Sequence, residues 1–563
     1  MSSSKKKQLR KEQYMTERQV SAAQEAKKLK RYTLTFWVVI ALVVCIFIGA
    51  VSINPIKNVI YSNTDAVTVG NHTLSAVELN YFYVSAVNAY VNKYSTYLSL
   101  MGLDTSKPLD QQVDSTGATW ASAFLTSAQN TIKSTYALYD LAIAAGHKLT
   151  DAEQATIDST INALDLYAPL YGYSDGNAYL RGVYGNGANT KSYRKYLEVS
   201  QLANSYLSAY SESLEFSEDQ LLDYDNLTPY RFNSYTYSSY YLSYSKFQEG
   251  EKDEKGNFTY ANDDEKKAAI EAAREAALKA AEELAAGNFE SLDDFDEAIQ
   301  ALDKKLTGES TSTAVASRSE DVLYDSMSSL FKYWVAGYEL KDGVKKDDAK
   351  FPEDYNKVER KEGEMTVVPY TTGSGDSETI NGYYVVRFGS FNDNTFALRN
   401  VRHILVAFEG GTYNSTTQTT TYSDEEKAKA KAEAEKLLAQ WEAGTKTEQS
   451  FADLANKESD DGDGTTGGLY EDVYPGQMVT NFDNWVYDEA RKAGDYGIIE
   501  SEYGYHIIYF SGLSLTSYRE YMVENALRSE TVDDWYNEQI EAISFKLLTT
   551  KYVETDMVLS HSH

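Results

Sequence analysis

Two short β-branched runs, each holding one histidine, constrain this chain more than any other feature. They are Val401-Arg402-His403-Ile404-Leu405-Val406 and Tyr503-Gly504-Tyr505-His506-Ile507-Ile508. Only six histidines occur in 563 residues, so two placed alike in strand-like runs stand out. Both runs have the composition of half- or fully buried strands. Between them lie a charged, Ala-rich helical stretch at 423–443, ending at Gly444, and a Gly-rich loop around Gly467-Gly468. That order of strand, helix, loop and strand points to an α+β unit.

The intervening residues carry more specific signals. They run Ser450-Phe451-Ala452-Asp453-Leu454-Ala455, then Glu458-Ser459-Asp460-Asp461, Gly467-Gly468, Gly476-Gln477-Met478-Val479 and Phe482. In that order and spacing, residues 400–512 resemble a parvulin peptidyl-prolyl isomerase domain, with several separate motifs in register. The resemblance implies that His403 and His506 are the paired central histidines that orient the pocket. It makes Met478 and Phe482 the apolar floor that grips proline. Asp461 falls where the family carries a Cys or Asp beside the amide that is twisted, which makes His403, Asp461 and His506 the expected catalytic set. Gln477, Tyr470 and Tyr503 are expected to touch substrate, with Ser459 as a further candidate. The family's Gly-Gly-Asp-Leu-Gly is here Gly467-Gly468-Leu469-Tyr470-Glu471, and Tyr503 stands where a small polar residue is common. These departures bear on substrate preference more than on fold.

Such chemistry needs no cofactor. Rotation about a peptide bond faces a barrier of roughly 18–20 kcal/mol because twisting breaks amide conjugation. No bond to the prolyl nitrogen forms or breaks, so neither metal nor nucleophile is required. The expectation is therefore no cofactor and no metal. Ser459-Asp460-Asp461-Gly462-Asp463-Gly464 resembles the start of an EF-hand, but Ser459 replaces the first acid and Tyr470 the closing Glu. No His-Glu-x-x-His, Cys-x-x-Cys or Gly-x-Ser-x-Gly arrangement supports a metalloenzyme or a serine nucleophile.

Charge is unevenly spread. The formal net charge is −31, yet residues 1–31 carry ten Lys/Arg against three Glu, a local +7 that leaves −38 for the rest. A body that acidic disfavours nucleic acid as a partner. The basic head precedes Thr33–Ile53, a run of 21 residues without a charge. At about 1.5 Å per residue that run would span roughly 30 Å, the thickness of a bilayer core. The expectation is a single-pass membrane protein with a basic cytoplasmic head (1–32), a transmembrane helix (33–53) and an extracytoplasmic body. A cleaved signal peptide competes through Ala50-Val51-Ser52, but head and apolar run are both long for one. The single cysteine, Cys45, allows no intramolecular disulfide.

The remaining chain divides by pattern. Strand-like 67–69 and 72–74 lead into a helix started by Ser75 with Glu78 three residues on, a capping box. Further helices are expected near 118–145, 151–166 and 191–211. Residues 60–228 resemble the N-terminal helical chaperone domain of SurA/PrsA foldases, completed by 515–555. In that family a C-terminal helix packs back onto the N-terminal domain, and 518–553 is the candidate, with an apolar stripe of Val532, Tyr536, Ile540, Ile543 and Leu547 beside Trp535. Residues 229–394 read as a degenerate copy of the parvulin-like domain at 399–513, with Tyr230-Arg231-Phe232 opening it and Gly382-Tyr383-Tyr384-Val385-Val386 closing it. On that reading Phe232 and Tyr384 occupy the positions of His403 and His506. The Ala/Glu/Lys run at 264–286 reads as a solvated helix face with i,i+4 ion pairs, and most of the 47 tyrosines as residues suited to strands with one wet face.

Two function classes follow. One is a membrane-tethered isomerase and chaperone acting on exported polypeptides with X-Pro bonds. The other is a purely binding holdase whose parvulin folds are inactive.

Overall fold

A computed structural model describes residues 55–559, apart from 345–347, 374–377, 415–416 and 463. The chain forms two compact units. One comprises the chain up to Glu215 with Arg399–Ser514 and Asn525 onward, and the other comprises Phe216–Leu398 with Leu515–Glu524.

In the first unit, β1 (Asp65–Val69) and β2 (His72–Ser75) pair as an antiparallel hairpin. Ser75 then caps α1 (Ala76–Lys93), with its hydroxyl and the Glu78 side chain closing the capping box. Three more long helices follow, α2 (Trp120–Ala144), α3 (Asp151–Tyr167) and α4 (Thr190–Ser213). Their core is strongly aromatic, with Tyr81, Tyr83, Phe124, Tyr184 and Tyr193 buried together. Residues 552–559 belong to this core. Val553 and Leu559 are buried in it, and the Asn80 amide donates to the Tyr552 carbonyl at 2.9 Å.

The second unit is built on a Tyr-rich sheet. Its elements are β3 (Ser234–Ser243), α5 (Asp263–Ala285), α6 (Leu292–Thr307), β4 (Ser317–Leu323), the single turn α7 (Lys332–Val335), β5 (Met365–Thr372) and β6 (Thr379–Asn392). The sheet order is β4-β3-β6-β5, all antiparallel. The helix α5 has one buried and one solvated face. Its Ala277, Ala281 and Leu284 are buried against Tyr240 and Leu242 of β3, while Lys279 and Glu283 form an exposed i,i+4 pair.

The histidine-bearing sheet returns the chain to the first unit. It runs β7 (Ala397–Ala407), α8 (Asp424–Glu442), α9 (Glu448–Glu458), β8 (Leu469–Val473), α10 (Thr480–Val486), β9 (Tyr496–Glu500) and β10 (Gly504–Ser517). Its order is β8-β7-β10-β9, which repeats the order of the Tyr-rich sheet strand for strand. Helices α8 and α9 cover one face through Ala430, Ala434, Leu437 and Phe451. On the other face Val401, Ile508 and Phe510 pack against Met478, Phe482 and Val486. Each such side chain removed from water contributes about 1.5–3 kcal/mol.

Three expectations need correction. The transmembrane helix and the membrane localisation drawn from Thr33–Ile53 are not borne out. Among the described residues no helix is long and apolar enough to cross a membrane, and Thr33–Ile53 itself lies outside the described residues, as does the basic head. The longest described helices show why. Gln129, Asn130, Lys133 and Asp140 interrupt α2, and α11 (Tyr518–Ala542) is charged along its length. Such groups are costly in hydrocarbon.

The expected C-terminal helix is also shorter than 518–553. It stops at Ala542, and Phe545–Leu547 instead form a strand, β11, beside β1. The Gly70 amide donates to the Ser544 carbonyl at 2.8 Å, so the backbone there is committed to the sheet. Trp535 does pack on the helical region, stacked on Tyr210 at 3.8 Å.

Finally, Phe232 does not stand where His403 does. Pro229–Phe232 is a 3-10 turn ahead of the strand. Gly504 at the start of β10 and Gly382 within β6 set the correspondence. A Cβ on Gly504 would collide with the Val406 carbonyl oxygen, and one on Gly382 with that of Leu242. Leu242 therefore matches Val406, and counting back three residues puts Ser239 at the His403 position. Tyr384 keeps its match to His506, two residues past its glycine.

Candidate active site

His403 lies in mid-β7 and His506 near the start of β10, on neighbouring strands. Their rings face each other at 5.5 Å, nearly parallel, with Nδ1 to Nδ1 at 3.3 Å. Both are buried. The His403 Nε2 lies 2.9 Å from Asp461 Oδ2, and the two side chains are 2% and 1% exposed. Tyr470 donates its hydroxyl to the same Asp461 oxygen at 2.9 Å, while the Gly462 amide donates to Oδ1 at 2.8 Å. At the other end Ser501 Oγ lies 2.7 Å from His506 Nε2.

The partners dictate one proton order for this row. With Asp461 ionised and His403 neutral, His403 donates from Nε2 and accepts at Nδ1. His506 then donates from Nδ1 and accepts at Nε2 from the Ser501 hydroxyl. Burial and the neighbouring His403 hold the His506 pKa well below the usual imidazole range, so it stays neutral. The result is a satisfied polar row, Tyr470–Asp461–His403–His506–Ser501, inside an apolar shell.

The backbone around the row is held close. Both Gly467 and Gly468 have positive φ, and a Cβ on Gly468 would strike the His403 carbonyl oxygen. That closeness lets the His403 amide donate to the Gly468 carbonyl at 2.9 Å. Arg402 ties the same loop down, donating to the Thr466 and Gly467 carbonyls at 3.1 Å and to Glu448 at 2.9 Å.

Phe482 stands edge-on to both imidazoles, at 5.6 Å from His403 and 5.5 Å from His506. Met478 and Phe482 lie beside the row, as expected of a floor, but are 1% and 0% exposed. Tyr470 belongs to the polar row rather than to an open wall. Gln477 is buried, with its side-chain oxygen accepting the Tyr474 amide at 2.7 Å, so it holds its own turn. Ser459 accepts the Leu405 and Asp461 amides and fastens the acidic loop to β7. Tyr503 is half-buried, and its amide donates to Ser501 Oγ at 3.1 Å. Among the described residues no group of His, Cys, Asp or Glu is arranged to hold a metal ion.

Two groups escaped the sequence reading. Ser501 sits five residues before His506 with nothing local to mark it. Asp483, beside Phe482, is largely buried, with one oxygen accepting the Gly476 amide at 2.9 Å. Burial pushes its carboxyl up from the usual range. An acid in the first turn of a helix was the only available signal.

Residues 383–512 match the PPIC-type PPIase domain family model. The chain carries a parvulin-type isomerase domain. Among solved structures, it is similar to the peptidyl-prolyl isomerase PrsA of Bacillus anthracis, at 22% identity over 27% of this chain and 59% of that one, with a TM-score of 0.17. PrsA of Bacillus cereus matches at 20% identity over 29% of this chain and 57% of that one, with a TM-score of 0.16. The chain thus spans less than two thirds of either solved chain, and at these scores the likeness carries no argument about the whole fold. A comparison with curated proteins finds no match.

Proposed function

We propose that the parvulin-type domain catalyses cis-trans rotation of X-Pro bonds in unfolded polypeptides, and that the helical region holds those polypeptides as a chaperone. The observation that carries the first half is the intact polar row bordered by Met478 and Phe482. In this reading the two side chains grip the pyrrolidine ring in a water-excluded floor. His403 and His506, locked by Asp461 and Ser501, keep the pocket's shape through the reaction. A planar amide places resonance charge on its oxygen, so the buried Asp461 carboxylate nearby disfavours the planar form relative to the twisted one. Each 1.36 kcal/mol of that difference gives about tenfold in rate. The exported clients expected from a membrane span lose that support with the span.

The near-complete burial of Met478 and Phe482 favours a second reading, a holdase whose parvulin fold does not turn over. A refolding reaction limited by prolyl isomerisation separates the two. The isomerase reading expects substoichiometric full-length protein to accelerate the slow phase. Suppressed aggregation with an unchanged slow phase would establish the holdase instead.

A further inference from the structure

The Tyr-rich sheet repeats more than a strand order. Met327, Phe331, Trp334 and Val335 recur at identical spacing as Met478, Phe482, Trp485 and Val486. The surroundings recur too. Arg360 lies over the Trp334 ring at 4.4 Å and donates from Nε to the Trp334 carbonyl at 3.0 Å. Arg491 lies over Trp485 at 3.8 Å and donates from Nε to its carbonyl at 3.1 Å. Phe331 packs on Tyr384 at 5.9 Å, as Phe482 does on His506 at 5.5 Å. The apolar floor has therefore been kept, while the two histidine positions have become Ser239 and Tyr384.

What replaces the polar row is an aromatic surface. Tyr384 lies 5.0 Å from Tyr241 and 6.1 Å from Tyr370, and all three rings are half-exposed. Aromatic-lined grooves suit proline, whose extended segments are already stiff and lose little entropy on docking.

We propose that this sheet is a second proline-binding site, which holds an extended X-Pro segment on Tyr241, Tyr370 and Tyr384 and does not isomerise it. The proposal rests on the reading of Met478 and Phe482 as a proline floor. It lacks turnover because no buried carboxylate–imidazole row stands beside the ring. The occupant follows from the repeated floor and from the aromatic platform, which together offer apolar and aromatic contact.

The test uses the full-length chain and a fluorescein-labelled Ala-Leu-Pro-Phe-Lys peptide, read by anisotropy and by native mass. Wild type should bind two peptides per chain. Y370S/Y384S, which changes only half-exposed rings, should bind one and keep wild-type turnover. Photo-leucine in place of the peptide's leucine should cross-link within 230–392 as well as within 400–512, a readout independent of any variant. Ala in place of Pro should weaken the second site at least tenfold. One peptide per chain, two on Y370S/Y384S, no cross-link within 230–392, or equal binding of the Ala peptide would each overturn the proposal. Two bound peptides without turnover would instead sink the isomerase reading and leave this one standing.

Discussion

Asp461→Asn probes the polar row most sharply, because among the described residues Gly462 N–H, Tyr470 O–H and His403 Nε2–H converge on its two oxygens. An asparagine offers one accepting oxygen and one NH2. With the oxygen turned toward Tyr470 and His403, the NH2 faces the Gly462 amide and a buried donor goes unmet. With the amide flipped, His403 must accept at Nε2 and carry its proton on Nδ1. That reverses the row through His506 and makes Ser501 an acceptor in place of a donor. The first arrangement strands the Gly462 amide and the second costs the Tyr470 hydroxyl its Asp461 acceptor, at about 1–3 kcal/mol in either case. For a cooperative unit of this size each kcal/mol lowers Tm by about 2–8 °C. Melting of the full-length variant, followed by near-UV circular dichroism, should therefore fall by several degrees. The sequence alone suggests normal melting here, since it places Asp461 simply beside the substrate. Turnover of a prolyl peptide should drop with little change in peptide affinity, because the carboxylate acts as the amide twists. A wild-type midpoint would refute the three-donor geometry. A wild-type rate would refute the electrostatic role and leave shape and desolvation as the source of catalysis.

Other consequences follow from burial. Met478→Ala with Phe482→Ala should abolish turnover and also lower urea stability by several kcal/mol, since Phe→Ala alone costs about 3–5 kcal/mol at a buried site; retention of wild-type stability would mean the floor is open in solution. Because the folded His506 pKa lies below the unfolded value of 6.5, its contribution is complete above about pH 6.5 and is lost as pH falls, when only the unfolded chain takes up the proton. Urea midpoints should decline from pH 7 to pH 5 at up to about 1.4 kcal/mol per pH unit, and His506→Gln should flatten the decline. Glu554 behaves oppositely. Burial, aided by Asp556, pushes its pKa up to about 7, so stability present below the unfolded 4.5 is lost as pH rises through 7. Glu554→Gln should raise the melting temperature at pH 8 and leave it unchanged at pH 4.

The histidine-bearing domain was legible because its chemistry lies in short motifs whose residues fall on adjacent strands. His403, Asp461, His506, Met478 and Phe482 all meet around one centre, although they span about a hundred residues of sequence. Ser501 was not legible, since a serine near a strand start says nothing until the partner strand fixes where His506 Nε2 points. Nor was the closed state of the floor, which depends on how Tyr470 and Tyr503 pack. The helical region was legible at its caps. Ser75 with Glu78 marks α1, and Thr150 with Glu153 does the same for α3. The far end of α11 was not, because Ile543 and Leu547 continue a helical apolar spacing while the backbone at Ser544 is drawn into pairing with Gly70.

The Tyr-rich sheet shows which kind of residue carries a repeat. Matching Tyr230-Arg231-Phe232 to Val401-Arg402-His403 relied on a shared arginine, but Arg231 answers Asp325 and Tyr224 whereas Arg402 ties down the Gly-Gly loop. The two arginines do unrelated work, so their likeness misplaced the strand by several residues. Backbone collisions leave less freedom. A glycine lying against a neighbouring carbonyl admits no side chain, which is why Gly382 and Gly504 fix the register where the polar residues do not. The same holds for the tryptophan carrying an arginine on its ring, a contact that needs both partners and one spacing. Shape-determining residues have thus been kept in both sheets, and the buried histidines only in one. Losing only part of such a row would leave a buried polar group unpaired, since a half-satisfied network is worse than none. A sheet that kept one histidine and lost Asp461's counterpart would bury an unpaired imidazole, and replacing both positions, as Ser239 and Tyr384 do, avoids that cost.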